Sequence, residues 1–447
     1  MITYNKIAWG LPLLCRLYGS ALPRSVPPAL LSAGVTAAFF VCIGDDDKGW
    51  WRHPYPFQLF GYMVGFIVIF RSNFGYQRYW EGRSFLQGMT SAWVDACVQV
   101  VVFDQYPVTI EGKEEAASKG GLEAKDRFRR NCFHLFSLLH ALCIQHLRTD
   151  WDLHNLRPHL PSDPAPMLDA AGLPSQEGML LHNLHYLDVF LLRGSDGRRQ
   201  IYNRRMPLPV IGGLAAEEAA VLGEEHQAEG YLETSTLFGG IDRRGSHASR
   251  MWHHLGLTTE PLLPQAGMYV PGAAERAAAC YTWVHQLLQE RLAAGGLGTP
   301  APVLANVYRS LTLGYRSFQS CRTLVDTPFP FPWAQLVLML LLIFSITCPL
   351  LIVGFVNTLW LAIILDFIIV QTYWALNEVA RDLEDPYVYE PNDLPMARLQ
   401  YAFNKRLMAI SNAQRPDCLL AGGEDQPPAM ESPRNNVSVD AAREPGV

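Results

Sequence analysis

A short segment near the carboxyl end of the sequence concentrates oxygen ligands. Six acid or amide side chains lie within it: Asp382, Glu384, Asp385, Glu390, Asn392 and Asp393. Carboxylate and amide oxygens are the ligands that Ca²⁺ prefers in proteins. The segment could therefore bind Ca²⁺, with Asp382, Asp385, Glu390 and Asp393 as the carboxylate ligands. The alternative is a solvated structural turn that holds no metal.

Three aromatic residues, Tyr62, Phe66 and Phe70, follow one another at intervals of four in an apolar run. Residues with this spacing lie above one another on one face of a helix. Because an aromatic ring has a positive edge and a negative face, ring edges would favour an anion that has shed part of its water. Alternatively, the rings pack against neighbouring helices or lipid. An adjacent face carries Leu59, Met63 and Ile67.

One ionisable residue lies within an apolar run. Burying an ionisable side chain such as Asp366 in a membrane costs free energy unless another group pairs with it, and we expect Asp366 to make an interhelical hydrogen bond.

No nucleophile paired with a base and no phosphate-binding loop is visible, so the sequence does not predict an enzyme.

Histidine and cysteine spacing gives little support for a metal site. His134, His140 and His146 recur every six residues, which rotates them around a helix, and His182 with His185 would supply only two ligands. The nine cysteines contain no C-x-x-C pair, so neither structural zinc nor a disulfide framework is predicted.

Four apolar runs must position these groups. Leu336 to Val356 carries no charge and is long enough to cross ~30 Å of hydrocarbon. Thr358 to Leu376 follows at once, with Asp366 as its single charge, so the two runs predict a helical hairpin. Leu30 to Gly44 and Phe57 to Phe70 are shorter and predict a second, weaker hairpin.

The apolar runs divide the chain into membrane and cytosolic parts. Positive residues such as Arg24 and Arg71 flank the first hairpin, which favours a cytosolic location for both termini and for the large middle region. Helical spacing of apolar residues makes that region predominantly α-helical. The expected segments are 1–29 (N-terminal cytosolic segment), 30–70 (first hairpin), 71–335 (helical cytosolic domain, with a loop-rich insertion at 151–272), 336–376 (second hairpin), 377–411 (acidic motif and helix) and 412–447 (disordered tail).

Three local patterns lie beside the apolar runs: FRSNFGYQRYWEGR at Phe70 to Arg83, DTPFPFPWAQ at Asp326 to Gln335, and EDPYVYEPNDLP at Glu384 to Pro395. These patterns resemble the bestrophin family in its bacterial and plant thylakoid branch. Each pattern follows or precedes an apolar run, so their order also matches the arrangement of two hairpins. The resemblance does not cover the 151–272 insertion or the tail.

The resemblance implies an all-α integral membrane protein that assembles as a homopentameric channel with four transmembrane helices per subunit. It places a narrow neck at Tyr62, Phe66 and Phe70, which fivefold symmetry would turn into rings, and a lower aperture at Phe329. In animal bestrophins the acidic segment forms a calcium clasp. Here Tyr389 and Pro391 interrupt the acids, as in the plant and bacterial branch, so no cofactor is certain and Ca²⁺ remains an open alternative.

These expectations together predict a passive anion channel for chloride and other monovalent anions, with membrane lipid and identical subunits as partners. The alternatives are a bicarbonate channel of a photosynthetic membrane or a membrane scaffold that does not conduct. A net charge of −6 without a block of like charges excludes a nucleic-acid partner. No transit peptide is recognisable, which favours a plasma or other non-plastid membrane over the chloroplast thylakoid.

Overall fold

The computed structural model describes residues 19–42, 55–105, 119–160, 203–204, 206–223, 273–387 and 392–413. His182, His185, Glu390 and nearly all of the 412–447 tail lie outside these residues. All described residues except Asn412 and Ala413 belong to one compact unit.

The described part of the chain is mostly helical, as the sequence indicated. Four of its helices are long and apolar enough to cross a membrane. They are α1 (Leu22–Cys42), α2 (Tyr55–Gln105), α6 (Phe331–Phe355) and α7 (Leu359–Glu384). Other long helices of the described residues are α3 (Lys119–Leu147), α4 (Ala273–Ala293), α5 (Ala301–Asp326) and α8 (Met396–Asn412).

Helix α2 is one continuous helix of 51 residues, whereas the sequence showed two separate apolar patterns along it. At 1.5 Å per residue it is roughly 75 Å long, more than twice the ~30 Å of a hydrocarbon core. Its first third packs against α6 and α7, with Val64, Val68 and Phe344 in the shared core. Further along, the helix packs against α5 and α3 around Met89 and Trp93. The change from apolar to polar sequence near Phe70 therefore does not end the helix.

The described residues also contain two short strands. β1 (Leu156–Pro158) and β2 (Leu208–Val210) pair in parallel, with Leu156 opposite Leu208. They lie within the stretch for which the sequence predicts an insertion of loops and short helices. A buried ion pair between Arg148 and Asp150 supports the turn before β1, and Arg148 also donates to the carbonyl of Met206 at 2.6 Å.

The three regularly spaced histidines have separate surroundings, so they do not share a metal. His140 donates to Gln400 at 2.5 Å and stacks on Phe403, and burial lowers the pKa of its imidazole to about 4. His134 places its two ring nitrogens 2.7 Å from the Ile211 carbonyl and 2.7 Å from Glu218. Burial lowers the pKa of His134, but these two acceptors outweigh it and the pKa is raised.

Candidate functional site

The three aromatics of the expected neck lie on an uncovered face of α2. Tyr62 is 75% exposed, Phe66 68% and Phe70 39%, while Val64 and Val68 on the opposite face are buried. The rings of Phe66 and Phe70 stack with centroids 6.0 Å apart. An uncovered row of large aromatic side chains is unusual for a packed helix and marks a surface that meets something outside the subunit.

A fourth aromatic residue, Phe74, continues this row and is absent from the neck that the sequence predicts. Its ring meets Phe70 edge-on, with centroids 4.6 Å apart and planes at 86°, and it is 41% exposed. The spacing of four from Phe70 could have revealed it. However, the charge of Arg71 ends the apolar run one residue after Phe70. Tyr62, Phe66, Phe70 and Phe74 together form what we call the aromatic row.

The adjacent face of α2, which carries Leu59, Met63 and Ile67, is only partly exposed. Leu59 is 72% exposed and Met63 49%, so both border the aromatic row. Ile67, in contrast, packs against the membrane core. The uncovered surface of α2 is therefore centred on the aromatic row and widens toward the start of the helix.

Glycines on the opposite side of α2 let its neighbours approach closely. The Tyr373 hydroxyl on α7 donates to the Gly61 carbonyl at 3.2 Å, and a Cβ at Gly65 would lie 3.2 Å from the same hydroxyl. Further along, a Cβ at Gly75 would lie only 2.9 Å from the Ala380 carbonyl oxygen. Small residues at a helix interface permit this close packing in membranes. These glycines allow the packed face of α2 to lie close against α7, and the aromatic row lies on the other face of the same helix.

Arg71 lies directly after Phe70 and is almost completely buried, at 5% exposure. Its guanidinium donates to Glu384 at 2.8 Å and to Asn377 at 2.7 Å, both on α7. It also lies over the ring of Phe329, 5.2 Å from the centroid, in cation–π geometry. One side chain thus joins the end of the expected neck, the acidic end of α7 and the residue expected to form the lower aperture.

Phe329 lies in the short connection between α5 and α6 and is half-buried. Pro328 and Pro330 flank it and restrict the backbone to extended conformations. Arg78 supports the same connection, because it donates to the carbonyls of Leu324 at 2.8 Å and Thr327 at 3.0 Å. A stiff backbone supported by Arg78 suits a residue that must be held at a fixed position.

The carboxylates of the acidic segment point in different directions. Asp382 pairs with Arg24 of α1 at 2.6 Å, Asp385 is exposed, and Asp393 is buried beside Tyr79. No group of three side chains suited to a metal ion forms among the described residues. Since Glu390 is outside those residues, the Ca²⁺ site stays a prediction, and the described carboxylates do not fit one.

Asp366 is fully buried, at 0% exposure, in the membrane-spanning bundle. Ser32 and Thr36 of α1 and Cys348 of α6 face its carboxyl group. However, neither carboxyl oxygen reaches hydrogen-bonding geometry with any described residue. The expected interhelical hydrogen bond therefore lacks good geometry, although Ser32, Thr36 and Cys348 lie close enough to interact with the carboxyl group.

Comparisons with known proteins agree with this architecture. The sequence matches the family described as bacterial/fungal bestrophin protein over residues 1–182 and 257–409. A variant of a bacterial bestrophin homologue from Klebsiella pneumoniae has the same fold, with a TM-score of 0.52 and 14% identity over 87% of this chain and 100% of that one. A crystal structure described only as a membrane protein variant gives 0.52 and 14% over 87% and 99%. No curated protein matches the chain.

Proposed function

Because the chain belongs to the bacterial and fungal bestrophin family, we propose that it is a chloride-conducting anion channel, assembled as a homopentamer in a plasma or other non-plastid membrane. The observation that carries the proposal is the aromatic row. Tyr62 and Phe66 are among the most exposed side chains of a membrane-spanning helix whose opposite face is fully packed. Fivefold symmetry around this face would produce stacked rings of aromatic side chains.

Such rings would select anions without a cation in the constriction. Aromatic edges directed inward present positive charge to a partly dehydrated anion. Apolar rings also dewet readily, which closes a pore to hydrated ions. Arg71 supports this arrangement from outside the pore, because its charge is neutralised by Glu384 and its guanidinium is held by α7. Phe329 forms the second constriction, at the end that Arg71 connects to the neck.

The test is the reversal potential of the purified protein in a planar bilayer under a KCl gradient. We expect a value near the chloride equilibrium potential. Replacing Tyr62, Phe66 and Phe70 together by alanine should widen the neck, raise the open probability and move the reversal potential toward zero. A value near the potassium equilibrium potential in the unsubstituted protein would contradict the proposal, and a silent bilayer with folded protein would favour the scaffold alternative.

A matched control separates pore-lining aromatics from lipid-facing ones. Trp360 near the start of α7 is 75% exposed, the same as Tyr62. We expect Trp360→Ala to leave selectivity unchanged while Tyr62→Ala alters it. The opposite result would mean that the pore lies against α7. Replacing chloride by bicarbonate on one side then measures whether bicarbonate carries comparable current.

A further inference from the structure

The two hydroxyl groups nearest Asp366 are already engaged by backbone carbonyls. A serine or threonine hydroxyl has a single hydrogen to donate. The Ser32 hydroxyl donates to the Ser345 carbonyl at 3.1 Å, and the Thr36 hydroxyl donates to the Ser32 carbonyl at 3.2 Å. Either hydroxyl can therefore donate to an ionised Asp366 only by giving up its backbone acceptor. Only the weak thiol donor of Cys348 remains on that side.

No cation of the four described membrane-spanning helices compensates the carboxyl group either. Arg24 of α1 is paired with Asp382 near the end of α7, and α6 contains no charged residue. The part of α2 that lies within the membrane core has no lysine or arginine before Arg71, and Arg381 lies in the last turn of α7. Asp366 is the eighth residue of α7, about 10 Å along the helix from its start. An unpaired carboxylate at that depth would be costly.

We propose that Asp366 is a proton-binding site within the membrane-spanning bundle and carries its proton at neutral pH. As a neutral acid it has one hydrogen to donate. A small rotation of the carboxyl group directs that hydrogen to the free lone pairs of Ser32 or Thr36. The bound proton thereby supplies the missing donor between α7 and α1, and the buried group is no longer charged.

The position of the site connects it with the aromatic row. Asp366 and Tyr373 are two helical turns apart on α7, so they lie on similar sides of that helix. Asp366 meets α1, and the Tyr373 hydroxyl holds the carbonyl of Gly61, the residue immediately before Tyr62. A change in the contact between α1 and α7 would therefore reach α2 through the hydrogen bond between Tyr373 and Gly61.

Infrared spectroscopy of the full chain tests the proton directly and does not depend on conduction. Protein carrying ¹³C at the aspartate side-chain carboxyl is compared with unlabelled protein, at pH 7, in the same detergent. We expect an isotope-sensitive C=O stretch of a protonated carboxylic acid. Asp366→Asn keeps the size of the side chain and should lose this band completely.

A second buried aspartate on the same helix supplies the control. Asp382 is ionised in its pair with Arg24, so Asp382→Asn should retain the band. If Asp382→Asn does not fold, Asp326→Asn, at a partly exposed i,i+4 pair with Arg322, takes its place. The absence of the band in the unsubstituted protein, or its survival in Asp366→Asn, would overturn the proposal. A carboxylate band that changes when sodium replaces choline would also overturn it and would assign a bound cation instead.

Discussion

The two faces of α2 are built differently although they belong to one helix. One face is packed along its whole length, first against α6 and α7 and then against α5, with glycines where neighbouring backbones come closest. The other face carries the aromatic row, which no part of the described subunit covers beyond partial contacts. The packed face tolerates a larger side chain only where a neighbouring side chain can move, whereas the exposed side chains of the aromatic row have no such constraint within the described subunit. We therefore expect substitutions on the packed face to change the stability of the protein and substitutions in the aromatic row to change ion flow.

The largest effect is expected at Arg71, a buried charged residue of the packed face. Arg71→Met leaves Glu384 and Asn377 without their buried partner, and breaking one side of a buried ion pair costs about 3–5 kcal/mol. Thermal unfolding in detergent measures the loss. Arg83→Met on the same helix is the control, since the Arg83 guanidinium donates to the exposed Gln87 one turn away and its loss should change stability by less than about 0.5 kcal/mol. Equal losses of stability in Arg71→Met and Arg83→Met would contradict the expected difference between a buried and an exposed arginine pair on α2.

A smaller effect is expected from adding one methyl group to the packed face. A Cβ at Gly75 and a Cβ at Gly88 would each meet an atom at 2.9 Å, but the first is the Ala380 backbone oxygen and the second is the Ser317 hydroxyl. A hydroxyl can rotate away and a helix backbone cannot. Gly75→Ala should therefore cost about 1–3 kcal/mol through overpacking. Gly88→Ala should be neutral or stabilising, because alanine favours a helix by about 1 kcal/mol over glycine.

The comparison is direct because both variants make the same chemical change on the same helix. Chemical or thermal unfolding in one detergent gives the two free energies. If Gly88→Ala loses as much stability as Gly75→Ala, then α5 approaches α2 as rigidly as α7 does. That result would remove the distinction between backbone and side-chain contacts on this face.

The smallest stability effect is expected on the aromatic row. Phe66→Ala removes a 68% exposed ring and should change the free energy of unfolding by no more than about 0.5 kcal/mol. Phe344→Ala, the same change at a residue only 3% exposed in the membrane core, should cost about 3–5 kcal/mol. A large loss of assembly in Phe66→Ala, measured by size-exclusion chromatography, would mean that Phe66 packs between subunits and does not line a pore.

Much of the site could be anticipated from local sequence. The spacing of Tyr62, Phe66 and Phe70 places them on one face in any helix, and the structure leaves that face uncovered. Phe74 follows from the same spacing, but the charge of Arg71 hides it because that charge ends the apolar run. Hydropathy marks where a membrane ends, and it does not mark where a helix ends. For the same reason the 51-residue length of α2 could not be predicted.

Other features could not be anticipated, because they depend on residues far apart in the chain. Arg71 and Glu384 are separated by 313 positions, so no local pattern indicates that they pair or that Phe329 lies beneath the same guanidinium. The acidic segment shows the limit most clearly. Its composition suits Ca²⁺, but Asp382 turns to Arg24 of α1, a partner that only the packing of α1 on α7 supplies.

The sequence by itself determined the membrane-spanning helices, the family and three of the four residues of the aromatic row, since each depends on hydrophobicity, motif or spacing over short distances. The tertiary structure decided which helix faces are covered and which charges are neutralised. Asp366 illustrates the division: its position in an apolar run is a property of the sequence, but the direction of the Ser32 and Thr36 hydroxyls is not. Whether a buried carboxyl group meets donors or lone pairs depends on three helices that come together only in the folded subunit.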